Sequence, residues 1–403
     1  MDGPLKLPSP VDTIHRALPG GAAVEVAVVG AGPAGATAAF VLARAGVGVA
    51  LIDRAPLPRD KTCGGGVVAR ALESLPSGME IPVERRLARV ESRFVDAGIA
   101  VTIERDTPLV HMAMRAPLDL AMAEAARDAG AALQAPCTLE RVALTSEHVE
   151  LETSRGLLRA RFLVAADGAT GPTARAAGWT EPLASAPALE AEVEMPPRLL
   201  GRFADRARFD LGVPAGGYGW IFPKADHLSV GVGVFARGGA RRRLRDELSR
   251  YLQAVGLGEG SVRRVRGAPI PVRPRREAAR GRVLLVGDAA GLADPLTGEG
   301  ISLAIRSGRL AAESLLVAGL DPRAVARGYL TSLQRDILGD LRIARGLAWV
   351  LYRRPGLARR LVPRLGQLAG EALTEVVAGR RTYRGLVGSV RAWRRLWTAL
   401  VPC

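Results

Sequence analysis

Aromatic side chains make up only 4% of this 403-residue chain, and lysine and cysteine each occur at just three positions. The cysteines, Cys63, Cys137 and Cys403, are too scattered for a disulfide framework or a metal-ligand set. No apolar run approaches the ~20 uncharged residues that a membrane-spanning helix requires. Residues 1–22 lack the basic start and apolar core of a secretion signal. A cytoplasmic address is the expectation. No nucleic-acid-binding motif is present.

What the chain does have is arginine. The formal net charge is +16, and the only lysines are Lys6, Lys61 and Lys224. Such an excess suits an anionic partner such as lipid headgroups or a phosphorylated substrate. It is equally the signature of a GC-rich genome, in line with the abundant alanine and glycine. Hydrophobic content of 48% and charged content of 24% are those of a globular protein long enough for two or three domains.

Periodicity divides the chain. Residues 24–29 read as a buried parallel strand, 34–45 as the helix after it and 48–53 as a second strand. Segment 60–75 is glycine-rich and reads as irregular, 83–105 alternates like sheet, 118–129 is a helix and 160–166 a hydrophobic strand. From 185 to 268 the pattern is antiparallel sheet. A strand at 283–286 and a helix at 299–318 follow, and everything beyond 320 reads helical. The expected class is α/β. A discontinuous Rossmann-type domain (24–82, 106–184, 269–320) follows a short lead (1–23). It carries an inserted antiparallel sheet domain (83–105, 185–268) and a helical, arginine-rich region (321–403).

Gly30-Ala-Gly32-Pro33-Ala34-Gly35 follows a strand and opens a helix. In that context Gly30 permits a tight turn, Gly32 lets backbone amides approach a pyrophosphate and Gly35 lets helix and strand pack closely. The helix N-terminus favours the phosphate charge. Asp53, ending the second strand, suits ribose hydroxyls. A second turn, Gly287-Asp288-Ala-Ala-Gly291 through Gly298-Glu299-Gly300-Ile301, delivers Asp288 from a strand and opens another helix. Bare amides there would stabilise negative charge on a reduced flavin.

Four ordered stretches within residues 24–310 resemble the FAD-binding fold of para-hydroxybenzoate hydroxylase and its relatives. They are the first glycine motif, "MRAPLDLAMAEAARDAGA" with Arg115 and Asp119, "AADGATGPTAR" and "GDAAGLADPLTGEGI". Two further segments, "RDKTCGGG" (59–66) and "PAGGYGWIFPK" (214–224), are similar to segments of geranylgeranyl reductases, which saturate double bonds in isoprenoid chains. The resemblance implies bound FAD held by Gly30, Gly32, Pro33, Ala34, Gly35, Asp53, Arg54, Lys61, Cys63, Gly64, Gly65, Arg115, Asp288, Gly298, Gly300 and Ile301. It implies a reaction site at Cys63, Tyr218, Trp220, Phe222 and Lys224. The electron donor stays open between NAD(P)H and a reduced carrier protein.

The residues agree with that chemistry. Tyr218, Trp220 and Phe222 cluster at period two, so they share one strand face and could wall an apolar slot. Cys63 sits on a glycine-rich loop as acid, redox thiol or packing. Lys224 either attracts a diphosphate or stands exposed. Over 383–400 a basic amphipathic helix with Trp393 and Trp397 suits an anionic bilayer, which would put the protein peripherally at the inner face of the membrane. Two other readings stand beside an isoprenoid reductase: a flavin monooxygenase or halogenase acting on a small aromatic, and a non-enzymatic binder of anionic lipid.

Overall fold

The computed structural model describes residues 23–236, 244–258 and 260–388. Five parallel strands form its first sheet, in the order Val283–Leu285, Gly156–Ala165, Ala23–Val29, Val49–Ile52, Ala132–Gln134. Their valine- and alanine-rich centres are completely buried, as a parallel sheet covered on both faces requires. An antiparallel hairpin, Leu139–Leu144 with Val149–Thr153, extends Gly156–Ala165. The helices Pro33–Arg44 and Ile301–Val317 cross in close contact. A side chain at Gly308 would stand 2.1 Å from the carbonyl oxygen of Ala34, so only glycine allows that approach.

The second sheet has seven strands, in the order Ser261–Ile270, Ala186–Glu194, His227–Val234, Gly217–Pro223, Arg206–Leu211, Arg89–Phe94, Ile99–Glu104. All neighbours are antiparallel except Arg206–Leu211 with Arg89–Phe94. Alternation gives its two faces different tasks. Ala191, Val193, Ile221 and Val230 pack with Leu248 and Tyr251 of the helix Leu244–Ala254. Tyr218, Trp220 and Phe222 point the other way, into a separate apolar cluster.

Segment 60–75, expected to be irregular, contributes the strand Gly66–Val68 and the short helix Ala69–Glu73. The strand pairs with Val110–Met112 in a three-stranded sheet. It is too short to show a period of its own. The helical region comprises Pro322–Leu333, Gly339–Arg353, Pro355–Val377 and Tyr383–Val387, with Pro355–Val377 laid along the edge strand Ile99–Glu104. The basic helix expected over 383–400 lies outside the described residues from 389 onward.

Candidate functional site

The first glycine turn is built for backbone approach. Gly30 adopts φ +106°, and a Cβ there would meet the Ala166 carbonyl oxygen at 2.4 Å. A Cβ on Gly32 would meet nothing nearer than the guanidinium nitrogens of Arg59 at 3.7 Å and Arg115 at 3.9 Å. Gly32 therefore faces an open cleft, and no side chain caps the helix it precedes. Asp53 accepts from the Ala31 amide at 2.9 Å, which ties the second strand to the turn. Arg59 bridges Asp53 (3.0 Å) to Asp119 (2.9 Å), and Arg115 pairs with Asp119 through two 2.9 Å bonds. Burial alone would lower the pKa of Arg115; the Asp119 carboxylate paired with it outweighs burial and holds the guanidinium above its ordinary value. Arg54, directly after Asp53, is exposed. Arg59 was not foreseen, because an arginine in a proline-rich loop carries no period to mark it.

Asp288 enters from the opposite side, directly after Val283–Leu285, and its carboxylate stands 3.7 Å from the Lys61 ammonium. The helix expected to begin at 299 begins at Ile301. Glu299 folds back to accept from the Ser302 amide at 2.6 Å and pairs with Arg70, so fewer amides are bare than the sequence suggested. Gly300 and Ile301 line the cleft beside Asp288. Three of the five tyrosines hold this turn: Tyr218 donates to Thr297 O (2.5 Å), Tyr352 to Leu296 O (2.5 Å) and Tyr383 to the buried Asp294 (2.9 Å). Burial raises the pKa of Asp294, against the pull of Arg70.

The loop 59–66 closes the cleft. A side chain at Gly64 would come within 3.0 Å of Trp220 and Phe222, so glycine lets the loop lie on those rings. Cys63 donates its amide to Glu190 at 3.0 Å, and its sulfur accepts from the Gly65 amide at 3.4 Å. Glu190 also accepts from Ser229 (2.5 Å), which in turn accepts from the Trp220 indole (3.4 Å). Glu190 follows the alternation of its strand together with Glu192 and Glu194, so nothing in its position marks it out from a surface carboxylate. Lys224 is not exposed, contrary to one expectation. It is 1% accessible and donates to Ala113 O at 3.1 Å beneath Gly65, and burial lowers its pKa. Continuing the period of Tyr218, Trp220 and Phe222 carries it inward under the loop.

One cavity of about 790 Å³ runs through the site. It is lined by Gly32, Ala34, Arg115 and Asp288, by Cys63, Gly64, Tyr218, Trp220 and Phe222, and by aliphatic residues such as Leu351, Leu365 and Leu373. The aromatic wall is a packed set. Phe222 meets Phe209 edge-on at 5.3 Å, and Tyr218, Phe235 and Tyr352 stack at 5.1 and 5.2 Å. Cys63 also borders a small polar pocket with Glu190, Glu192, His227 and Arg266. His227 Nε2 is buried there with no hydrogen-bond partner among the described residues.

Residues 23–198 match the family model described as FAD binding domain. The chain is 33% identical over 309 residues to geranylgeranyl diphosphate reductase of Rhodobacter capsulatus, covering 72% of this chain and 74% of that one. It is 32% identical over 349 residues to menaquinone reductase of Mycolicibacterium smegmatis, covering 81% and 84%. The crystal structure of a geranylgeranyl bacteriochlorophyll reductase-like protein from Thermoplasma acidophilum has a TM-score of 0.70 over 93% of this chain and 96% of that one; at 22% identity, this shows a common fold. A Rossmann-type sheet with an open glycine cradle and these matches define an FAD-dependent oxidoreductase. Within that class the chain belongs to the geranylgeranyl reductase family.

Proposed function

We propose that this protein saturates carbon–carbon double bonds in the isoprenoid chain of a lipid, with electrons from NAD(P)H or a reduced carrier protein. One observation carries the reading: the glycine cradle, the aromatic wall and the aliphatic chamber line a single cavity. A small aromatic substrate would need no chamber of that kind, whereas a prenyl chain would fill it along its length.

Residues suited to hold FAD are Gly32, Pro33 and Ala34 at the open helix end, with Arg115 and Lys61 for the phosphates and Asp53 for the ribose. Asp288, Gly298, Gly300 and Ile301 would hold its other half. Bound and reduced, the flavin would supply hydride to the tertiary alkene carbon and be left oxidised. The rings of Trp220 and Phe222 would stabilise the positive charge that develops at that carbon, by about 2 kcal/mol, as the less substituted carbon takes a proton. We assign its delivery to Cys63, which alone among the cysteines of the described residues lines the cavity. The thiol would recover it through the polar pocket of Glu190, Glu192 and His227. Lys224 acts as a positioning residue, supporting the loop from below. The test is product analysis without oxygen: prenyl diphosphate and menaquinone are offered separately to reduced holoprotein. A product heavier by one H₂ per saturated bond is expected from at least one; none from either would refute the reading.

A further inference from the structure

Helices Gly339–Arg353 and Pro355–Val377 meet at a sharp corner, where Arg354 leaves helical geometry and Pro355 opens the next helix. Three large apolar side chains stand out in water there: Leu347 (45% accessible), Trp349 (44%) and Leu357 (42%). Scattered exposed leucines are ordinary, but an exposed tryptophan between two exposed leucines is not. Arg345 and Arg353 lie one turn before and after Trp349 on the same outward face, and the Arg354 guanidinium lies over its ring at 4.8 Å. From residue 341 to residue 370 there are seven arginines and no acidic residue. All seven are exposed, and none forms an ion pair among the described residues. Among the described residues no helix is long and apolar enough to cross a membrane.

The same corner borders the cavity. Leu347 lines it and is open to solvent, and Val350, Leu351 and Leu361 continue it inward. We propose that this corner docks on the surface of an anionic lipid bilayer, setting Leu347, Trp349 and Leu357 among the upper acyl carbons and the cavity mouth against lipid. Tryptophan flanked by arginine suits that depth: the ring sits at the headgroup level, while the guanidinium groups reach the phosphates. A protein partner would offer no reason for a wholly cationic rim, and a nucleic acid would offer none for the aliphatic tip. The docking stands without the proposed reaction, which only supplies its purpose: a prenyl lipid could pass from bilayer to chamber without crossing water.

The test uses the full-length holoprotein at low ionic strength and needs no turnover, so its failure is distinct from failure of the proposed reaction. Sedimentation with vesicles of phosphatidylglycerol and phosphatidylcholine should capture the protein, and vesicles of phosphatidylcholine alone should capture at least about tenfold less. The triple exchange Arg345→Gln, Arg353→Gln, Arg359→Gln should weaken capture by about 100-fold, at roughly fivefold per charge. Trp349→Ala should weaken it about tenfold with every arginine intact, and both variants should keep their flavin. Equal capture by both vesicle types would overturn the proposal. So would undiminished capture of both variants, or capture lost only when residues 389–403 are removed. Binding of single-stranded RNA as tight as that of anionic vesicles, and insensitive to Trp349→Ala, would likewise refute it in favour of a general polyanion surface.

Discussion

A side chain on Gly35 would stand 1.9 Å from the carbonyl oxygen of Gly30, so the first helix touches the turn before it, backbone to backbone. Gly32, between them, has no such neighbour. The two positions should therefore fail differently. Gly35→Ala must push the helix off the sheet, at a cost of about 2–3 kcal/mol in urea unfolding of the flavin-free protein. Gly32→Val should leave that stability within about 0.5 kcal/mol while emptying the protein of FAD, because its branched side chain occupies only the cleft. Full flavin content in Gly32→Val would show that the cleft is not where the pyrophosphate lies.

Lys224 sets a pH dependence. Its pKa is depressed by burial in the folded protein and stands near ~10.4 in the unfolded chain, so the unfolded state binds the extra proton between those values. Stability should accordingly rise with pH through that interval. It should then fall above about pH 10, since burial raises the pKa of Tyr329 and the unfolded state loses that proton first. Lys224→Met should flatten the rise and leave the fall. Urea midpoints measured at close pH intervals decide this, and an unchanged rising limb would mean that the slope has another source.

The aromatic wall and the loop beside it hold the two exchanges most specific to the chemistry. Trp220→Ala removes a ring from the wall and should slow flavin reoxidation by a prenyl substrate by roughly 30- to 150-fold, equivalent to about 2–3 kcal/mol, with flavin content unchanged. Cys63→Ser keeps the shape but replaces the thiol with a far weaker acid, and should slow the same step by at least about tenfold. A loss below about twofold in Cys63→Ser would leave the thiol a packing role.

The cofactor half of the site was legible because its signals are local. Gly30, Gly32 and Gly35 meet backbone constraints set within a few residues, and Tyr218, Trp220 and Phe222 declare a shared face by period alone. What escaped is what depends on distant packing. Arg59 matters because folding brings Asp53 and Asp119 to either side of it, and Glu190 because Cys63 and Ser229 converge on it. The burial of Lys224 follows from the loop laid over it, 159 residues earlier at Gly65. The arginine-rich helices read only as a tail, yet Leu351, Leu365 and Leu373 form the far wall of the chamber. The acid-free run from 341 to 370 was the available signal.

The most direct measurement is the reoxidation of dithionite-reduced holoprotein in the absence of oxygen, followed at the flavin absorbance as a polyprenyl lipid is added. We expect prompt reoxidation with one saturated bond formed for each flavin oxidised, and a slower course in Trp220→Ala. Reduced protein that ignores every prenyl compound, yet reacts productively with oxygen and a phenol, would contradict the assignment and make the protein a monooxygenase.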